Sequence, residues 1–449
     1  MGVFKKAFPG GIYPLKRSHE GKNHTKDKPI KIAKAPAQVG IPMSQHIGTP
    51  CVPVVEVGDT VDMGQMIGEA QGNMGSPVHS SVSGKVSAIE MGPHCSGKDA
   101  LTVIIDNDFE DRQHESMKPA AGIDSLSRED ILKAVRLAGI NGMGGAVFPT
   151  HVKLSPPKDR PIEHFILNGC ECEPYVTADH RLMLEHAESI VYGMRCAMKA
   201  LPAEKGIIAI EDNKPDAIEI MKKAAEPYGI KIAVLPTVYP QGGEKQIIQA
   251  VLGKEVPSCG LPMDIGVIVI NVGTAHAIAE ALRQGKPLYE RVVTVAGDVV
   301  EPKNLLVRIG TPIEEVIEQC GGFKGAMGKV IAGGPMMGVA QPTLLSSIIK
   351  STSGIVVLNK KNAHIPEESP CIYCGRCAKA CPAKLMPYKI DLYVEAKNYD
   401  GADEYNALDC IECGCCKYVC PASRELVDRI RLGKRVIQAR MRKKGASCR

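Results

Sequence analysis

The chain has 449 residues, of which 44% are hydrophobic and 23% are charged, so it is long and apolar enough for several folded domains. Its 55 basic and 50 acidic residues leave a net charge of only +5, and 4% of its residues are aromatic, which excludes a general nucleic-acid binder. Seventeen cysteines without an N-terminal secretory segment indicate metal or redox chemistry in a reducing compartment rather than disulfides.

No stretch of the chain has the roughly 18 uninterrupted apolar residues that a membrane-spanning helix needs. The most apolar candidate, 265–282, is interrupted by Asn271, His276 and Glu280. The sequence therefore predicts a chain without a transmembrane segment, which stays in the cytoplasm either soluble or bound to something in the membrane.

Short strands separated by turns are predicted from residue 30 to about 110. In the stretches 53–69 and 76–89, apolar pairs alternate with glycine-containing turns, which indicates a small barrel or sandwich. The segment resembles barrel-sandwich domains of the biotinyl and lipoyl type. Lys85 does not stand in the hairpin that carries the swinging arm of that family, so we expect a structural barrel-sandwich domain over 1–115.

Helices and strands are predicted to alternate through the next part, 120–285. Ser127 and Asp130 form a capping box before an amphipathic run at 131–137. Further strands and helices are predicted in the order strand 162–167, helix 186–201, strand 206–210, helix 216–226 and strand 230–235. This βαβ alternation indicates a sheet that is at least partly parallel, and the expected class is a Rossmann-like α/β domain.

Short strands return between 288 and about 350. One helix is predicted in this segment, at 312–320. We interpret it as a small β-grasp domain of the SLBB type, covering 286–355, which precedes two cysteine-rich runs.

Eight cysteines form two copies of one pattern near the end of the chain. Both copies follow C-x2-C-x2-C-x3-C-P, the bacterial ferredoxin pattern for [4Fe–4S] clusters. In this pattern three thiolates of one run hold one cluster, and the fourth cysteine ligates the other cluster. We therefore assign one cluster to Cys371, Cys374, Cys377 and Cys420, and the other to Cys410, Cys413, Cys416 and Cys381.

Two zinc sites are the alternative interpretation of these cysteines. Zinc sites usually combine two C-x2-C pairs or include His, and neither run has a neighbouring His, so clusters are favoured. Cys415 lies next to a ligand and is expected to be a spectator. The segment between the runs, 383–409, is longer than the hairpin of a compact bacterial ferredoxin, which indicates an α-helical ferredoxin domain over 360–425.

Four stretches of the α/β part are candidates for nucleotide binding. They cover residues 142–153, 168–174, 239–245 and 270–274. Glycines allow the backbone to approach a phosphate, and Glu or Asn at strand ends can bond to sugar or ribityl hydroxyls. Each stretch taken singly is equally consistent with a tight turn, and the chain has no G-x-G-x-x-G fingerprint followed by an acid.

The order of these four motifs resembles the FMN- and NADH-binding subunit of respiratory complex I, in which a β-grasp domain follows. With the barrel-sandwich segment in front and the two ferredoxin motifs behind, the whole chain resembles the family of Rnf complex C subunits. The resemblance implies that Glu173 and Glu244 contact the nicotinamide nucleotide. It also implies an FMN site made of Gly142, Gly144, Lys153, Asn168, Glu171, Tyr239, Gly242, Asn271 and Thr274.

By the same resemblance, the chain exchanges electrons between NAD(H) and FMN and relays them through two [4Fe–4S] clusters to other Rnf subunits. Those partner subunits would couple the transfer to ion translocation, and this chain would lie peripherally on the cytoplasmic side of the cell membrane. A soluble flavin and iron–sulfur reductase of the cobalamin reductase type is the alternative. Departures from complex I at Met143, Cys170 and Gly243 leave open a third hypothesis, an electron relay without flavin.

The chain ends in a basic tail, 426–449. From residue 424 to the end there are ten Lys or Arg residues and two acids, with apolar residues between them. This pattern indicates a basic amphipathic helix that contacts anionic lipid or an acidic partner, or else a solvated helix. The family resemblance favours docking on a membrane complex.

Overall fold

The computed structural model describes residues 8–14, 21–145, 147–443 and 445. Parts of the predicted N-terminal domain and of the basic tail lie outside the described residues, as does residue 146 of the first glycine stretch. The first eight strands, β1–β8, are Ile30–Ile32, Gln38–Pro42, Val52–Pro53, Thr60–Val61, Met66–Glu69, Val78–His79, Gly84–Pro93 and Asp99–Asn107.

The middle of the chain alternates helices and strands. It consists of α1 (Arg128–Leu137), α2 (Thr150–Lys153), β9 (His164–Gly169), α3 (Ala178–Glu185), α4 (Ala187–Ala200), β10 (Lys205–Glu211), α5 (Pro215–Ala225), β11 (Lys231–Leu235), α6 (Glu244–Leu252), β12 (Val267–Asn271) and α7 (Val272–Gln284). The strands and helices predicted between residues 131 and 235 are all present, with ends shifted by a few residues.

The last part is first β-rich and then helical. It consists of β13 (Glu290–Gly297), β14 (Lys303–Arg308), α8 (Ile313–Glu318), β15 (Met327–Ala332), β16 (Val339–Ala340), β17 (Gly354–Asn359), α9 (Arg376–Ala380), α10 (Pro387–Glu395), α11 (Tyr399–Glu404), α12 (Cys415–Tyr418) and α13 (Leu426–Lys443). In the part of the chain that the structure describes, no helix is long and apolar enough to cross a membrane.

Two small antiparallel sheets make up most of the N-terminal part. Their strand orders are β2-β8-β7-β4 and β3-β5-β6. Alternate side chains point inward, such as Val39 and Ile41 of β2, which are fully buried. Strand β1 does not belong to either sheet, because Ile30–Ile32 pairs in parallel with β14. The start of the chain is therefore joined to the β-rich part that lies near its end.

The α/β part is built on a four-stranded parallel sheet with the order β11-β10-β9-β12. Strands β9, β10 and β11 lie next to one another in chain order, whereas β12 lies on the other side of β9. The strand order therefore reverses between β9 and β12. Helices α1, α4, α5 and α7 cover one face, and α6 packs on the other through Ile247 and Ile248. In open sheets of this type, ligands bind at the carboxyl ends of the strands where the order reverses.

A six-stranded mixed sheet follows, with the order β1-β14-β13-β17-β15-β16. Helix α8 packs on it through Ile313, Val316 and Ile317, which are buried with Val293 and Val295 of β13. This sheet occupies the region predicted as β-grasp, and its loops reach both the α/β sheet and the cysteine-rich helices.

The C-terminal helices pack around a small core of their own. Ile430 and Ile437 of α13 lie against Ile390 and Val394 of α10. Next to this core, the Arg424 guanidinium donates to the fully buried Asp391 carboxylate, with N–O distances of 2.7 and 2.9 Å. The apolar face of the basic tail therefore packs on the cysteine-rich domain over its described residues. This face is thus not the one that could meet lipid. Residues 444 and 446–449 of that tail lie outside the described residues.

Helices α4 and α7 pack closely enough to require glycine at the crossing. A Cβ atom added to Gly193 would lie 1.7 Å from the carbonyl oxygen of Ala275. We predict that Gly193→Ala lowers the free energy of unfolding by about 1–3 kcal/mol, since backbone must move to relieve the overlap. Urea unfolding followed by circular dichroism measures this change.

Gly122→Ala is the matched control for this substitution. No heavy atom lies within 4 Å of the added methyl group at Gly122, so its stability should stay within about 0.5 kcal/mol of the wild type. Equal midpoints for the two variants would show that the crossing tolerates a methyl group.

Candidate functional site

The first and fourth predicted stretches meet at the point where the strand order reverses. Asn271 ends β12 and caps α7, its Oδ1 accepting from the Gly273 amide at 2.8 Å. The Met143 amide donates to Thr274 Oγ1 at 3.0 Å. A Cβ atom on Gly144 would lie 3.2 Å from Asn271 Cβ, so glycine permits this close approach. The two stretches therefore form one surface.

The second and third stretches join the same surface. Asn168 Nδ2, near the carboxyl end of β9, donates to the Gly242 carbonyl at 2.9 Å. A Cβ atom on Gly242 would lie 3.2 Å from Cys172 Sγ. Across the site, the Lys153 ammonium forms an ion pair with the Glu244 carboxylate. Each of the four predicted stretches therefore touches at least one of the others.

The Glu171 side chain supports the loop that contains it. Its carboxylate accepts from the amides of Asp179 at 2.7 Å and His180 at 3.2 Å, which are the unsatisfied donors at the start of α3. Lys22 closes the loop from the other side, because its buried ammonium donates to the carbonyls of Glu171, Glu173 and Val176. A contact between Glu171 and FMN stays a prediction.

Asp179 is a site residue that the sequence did not single out. Its carboxylate accepts from Asn271 Nδ2 at 2.6 Å. Burial, followed by the neighbouring Glu171 charge, raises the pKa of Asp179 to about 7. Asp179 lies beyond the end of the second motif, so neither glycine spacing nor motif order points to it. The Asp179 carboxyl group, whose pKa is near neutral, thus hydrogen-bonds to Asn271.

Lys214 is a second buried group that the sequence did not single out. Its ammonium is almost fully buried and donates to the Cys170 carbonyl at 2.5 Å and the Glu211 carboxylate at 3.1 Å. Burial lowers the pKa of Lys214, but the nearby carboxylates, Glu211 first, more than offset this effect and raise it. The pair holds the second stretch onto the end of β10.

The glycine turn of the first stretch fits a phosphate group. Among the described residues, the amides of Gly144 and Gly145 have no hydrogen-bond acceptor. Adjacent free N–H groups in a turn are typical of phosphate-binding loops. Nothing in the described structure lies within 4 Å of a Cβ atom placed on Gly145, so the turn is open on its outer side. The donors and the open space are consistent with the phosphate of FMN.

Glu173 binds the loop that follows β15 rather than facing open space. Its carboxylate accepts from the amides of Met336 at 3.0 Å and Met337 at 2.9 Å. A Cβ atom on Gly334 would lie 2.2 Å from this carboxylate. The predicted contact between Glu173 and the nicotinamide nucleotide stays a prediction. It would require the Glu173 carboxylate to give up its hydrogen bonds to the Met336 and Met337 amides.

Tyr239 connects the α/β site to the second cysteine run. Its buried hydroxyl donates to the Cys413 carbonyl at 2.7 Å. Its backbone N–H and C=O pair with Ile12, each at 2.9 Å, and the Cys415 thiol lies 3.9 Å from the Tyr239 carbonyl oxygen. With Cys172, these residues belong to one buried apolar cluster. Within the described residues, this apolar cluster therefore connects the α/β site to the second cysteine loop.

The two cysteine runs have the same backbone conformation. In the first, the Tyr373 amide lies 3.5 Å from Cys371 Sγ, and in the second, the Glu412 amide lies 3.4 Å from Cys410 Sγ. Tyr373 and Glu412 have φ of 55° and 58°, the left-handed region. Two loops of one shape, with amides directed at sulfur, fit two clusters of the same kind.

In the folded chain, the fourth cysteine of each run lies near the first three of the other run. Cys371, Cys374 and Cys377 line one cavity together with Cys420 of the second run. In the other group, burial and then the charges of neighbouring thiolates raise the pKa of Cys416; these neighbours are Cys410, Cys413 and Cys381. The thiol-rich, largely apolar surroundings suit clusters.

The Cys415 thiol lies near the Tyr239 carbonyl oxygen and next to the Cys413 side chain, and its role as a spectator stays a prediction. Among the described residues, no three or more His, Cys, Asp or Glu side chains are close enough to hold a single metal ion. A four-iron cluster spreads its thiolates further apart than a single ion does.

Family comparisons divide the chain into four matched segments. They are the RnfC barrel sandwich hybrid domain over 6–110, the Nuo51 FMN-binding domain over 135–280, the SLBB domain over 292–340 and the 4Fe-4S dicluster domain over 364–421. These matches confirm the predicted layout of the chain.

Several relatives match almost the whole chain. The C subunit of the Na(+)-translocating ferredoxin:NAD(+) oxidoreductase complex of Acetobacterium woodii is 50% identical, over 99% of this chain and 100% of the relative. Its counterpart in the proton-translocating ferredoxin:NAD(+) oxidoreductase complex of Clostridium ljungdahlii is 49% identical, over 95% and 93%. The C subunit of the ion-translocating oxidoreductase complex of Rhodobacter capsulatus is 40% identical, over 88% and 76%.

Among solved structures, the fold is similar to that of a chain from an NAD+-reducing [NiFe]-hydrogenase in the H2-reduced state. The TM-score is 0.51 and the identity 19%, over 74% of this chain and 69% of that chain. At this identity the likeness concerns the fold alone.

Glu173 makes stability depend on pH. Burial raises its pKa from 4.5 to about 7, although the two amides oppose the shift. The folded state therefore holds a proton that the unfolded state has released between about pH 4.5 and 7, and stability falls as pH rises through that window. We predict that the melting temperature of the wild type relative to Glu173→Gln declines between pH 5 and 7, as measured by differential scanning calorimetry.

Glu226→Gln, a change at an exposed glutamate, is the matched control. The melting temperature of the wild type relative to Glu226→Gln should not decline between pH 5 and 7. A difference between the wild type and Glu173→Gln that is constant with pH would contradict the assignment of this titration to Glu173.

Proposed function

The chain belongs to the family of C subunits of ion-translocating ferredoxin:NAD+ oxidoreductase complexes, and from this membership we propose that it is their peripheral NAD(H)-interacting electron-transfer subunit. It works as an oxidoreductase component on the cytoplasmic side of the cell membrane. Other subunits of the complex are its partners and couple the electron transfer to ion translocation.

The residues of the α/β site would hold FMN at the carboxyl ends of β9 and β12. The Gly144 and Gly145 amides suit its phosphate, and Lys153 supplies a nearby positive charge. Glu244, paired with Lys153, lies at the rim and is proposed to meet the nicotinamide nucleotide. When bound, FMN takes up a hydride as two electrons, whereas a [4Fe–4S] cluster carries one electron at a time. The remaining FMN residues are proposed to be Gly142, Asn168, Glu171, Tyr239, Gly242, Asn271 and Thr274.

The observation that carries this proposal is the continuous buried contact from the α/β site to the second cysteine run. Tyr239 belongs to the third predicted FMN motif and donates to the Cys413 carbonyl at 2.7 Å. The same ring lies in an apolar cluster with Cys172 and Cys415. This packing brings the two sites into direct apolar contact.

The cysteine assignments complete the proposal. Cys371, Cys374, Cys377 and Cys420 hold the cluster that we call the outer cluster, and Cys381, Cys410, Cys413 and Cys416 hold the inner cluster, beside Tyr239. Helices α9–α12 form an α-helical ferredoxin domain, proposed to span 360–425, and α13 of the tail packs on it. The other proposed boundaries are 1–115 for the barrel sandwich, 120–285 for the Rossmann-like domain, 286–355 for the β-grasp domain and 426–449 for the tail.

The alternatives are less consistent with these observations. The relatives that match nearly the full chain are C subunits of ion-translocating complexes, which disfavours a soluble reductase of the cobalamin reductase type. A relay without flavin is disfavoured by the match of residues 135–280 to the Nuo51 FMN-binding domain.

An anaerobic NADH titration of the purified chain tests the proposal. We predict bleaching of the flavin absorption band together with EPR signals of reduced [4Fe–4S] clusters, because the buried contact at Tyr239 joins the two sites. Clusters that dithionite reduces but NADH does not, with no flavin released on denaturation, would contradict it.

Cysteine substitutions separate ligands from neighbours. Cys374→Ala should lower the iron content by about half, because one of two clusters loses a ligand. Cys415→Ala is the matched control from the same motif and should keep the full iron content, since its thiol is directed at Tyr239. An unchanged iron count in Cys374→Ala would refute the cluster assignment.

A further inference from the structure

The two proposed clusters differ in their relation to the protein surface. The inner cluster lies beside Tyr239, where Cys413, Cys415 and Cys416 are buried. At the outer cluster, Ile372 and Tyr373 flank the cysteines, and each is 66% exposed. The outer cluster is therefore the one whose surroundings reach the surface.

Ile372 and Tyr373 form an exposed apolar edge on the cavity that the outer-cluster cysteines line. The Tyr373 ring is steadied by an edge-to-face contact with Tyr388, with centroids 6.2 Å apart. A large aliphatic and an aromatic side chain that stay exposed next to a redox site are typical of the apolar centre of a protein interface.

Two cations lie beside this apolar edge. Arg376 and Lys379 are exposed on α9, immediately after the Gly375 that lines the cavity. Three residues apart on a helix, they point the same way. Within the described residues neither has an ion-pair partner, whereas seven other basic side chains between residues 360 and 443 do; they are Lys384, Lys417, Arg424, Arg429, Arg431, Lys434 and Arg440.

The acids around this edge do not neutralise the two cations. Glu368 is held by Arg424 and Arg429, and Glu425 by Lys417. Glu367, which is exposed just before the first run, is therefore the one remaining acid near the two cations among the described residues. The side chains of this edge, the cluster and its cysteine ligands aside, therefore combine apolar groups with an excess of positive charge.

We propose that Ile372, Tyr373, Arg376 and Lys379 form the docking face for a partner protein that carries a one-electron redox centre and a surface rich in acidic residues. One electron crosses this face in each transfer, between the outer cluster and the partner's own centre, and no bond forms or breaks. The proposal rests on the proposed function, because it assigns the face by which electrons enter or leave the chain.

Complementary charge at such a face acts mainly on association. Exposed charges attract over a distance that salt shortens. Reversal of both cations should therefore weaken docking strongly at low ionic strength and less at high ionic strength. A loss of the apolar edge would instead weaken docking at every ionic strength.

The test uses the full chain and membranes that carry the other subunits of the complex but lack this chain. The double variant Arg376→Glu/Lys379→Glu should bind these membranes about tenfold more weakly than the wild type at low salt. The difference should shrink at high salt. Co-sedimentation measures binding, and ferredoxin-driven NAD+ reduction by the reconstituted membranes should fall in parallel.

Lys222→Glu/Lys231→Glu reverses two exposed lysines of the α/β part and is the matched control. It has the same change in net charge and should bind like the wild type. If the double variant Arg376→Glu/Lys379→Glu (the α9 variant) binds the membranes as tightly as the wild type at low salt, the proposal is overturned. A loss of binding that is equal at low and high salt would overturn it as well.

The cluster signals distinguish a failed proposal from a misfolded variant. NADH-dependent cluster EPR should be the same in the wild type and in the α9 variant, because the inner path is untouched. If the variant loses these signals, Arg376→Gln/Lys379→Gln takes its place and should show an intermediate loss of binding. If NADH reduces no cluster in the wild type, the proposed function fails, while the salt-dependent binding result still decides the docking face.

Discussion

The structure depends on the buried contact that Tyr239 makes between the α/β part and the cysteine-rich helices. One side chain fills the space between the α/β site and the second cysteine loop, and its hydroxyl satisfies the Cys413 carbonyl. An unpaired carbonyl at this depth would be costly. The hydrogen bond therefore fixes the orientation of the loop as well as its position. The packing around Tyr239 brings the two sites into direct contact.

Segments from distant parts of the sequence reinforce this contact. Ile12 pairs with the Tyr239 backbone, and the Gly11 amide donates to the Ala380 carbonyl at 3.0 Å. Lys22 donates to the carbonyls of Glu171 and Glu173 in the second stretch and of Val176 just after it, and Glu173 binds the loop at Met336. The N-terminal segment and the β-rich part thus contact the loops of the two sites directly.

The elements and the cysteine pattern were predictable because local physics determines them. The capping box of Ser127 and Asp130 and the apolar strands around Ile166 follow from nearest neighbours in the chain. Spacing within each cysteine run likewise reflects the reach of a short loop. By contrast, Asp179 and Lys214 could not be found, because their importance comes from burial, and burial depends on residues far away in the sequence.

The sequence alone determined the chemistry of this protein: two ferredoxin-type cysteine runs, four nucleotide-binding stretches and the order of its domains. Such features depend on residue type and short spacing, which folding does not alter. Only the tertiary structure decided how the parts connect. It placed Tyr239 on Cys413, turned Glu173 toward Met336 and Met337, and covered the apolar face of the basic tail over its described residues. It also left Arg376 and Lys379 at the surface without an ion-pair partner among the described residues. The contacts that form, and those that do not, join groups far apart in the chain and are set by the packing of the whole molecule.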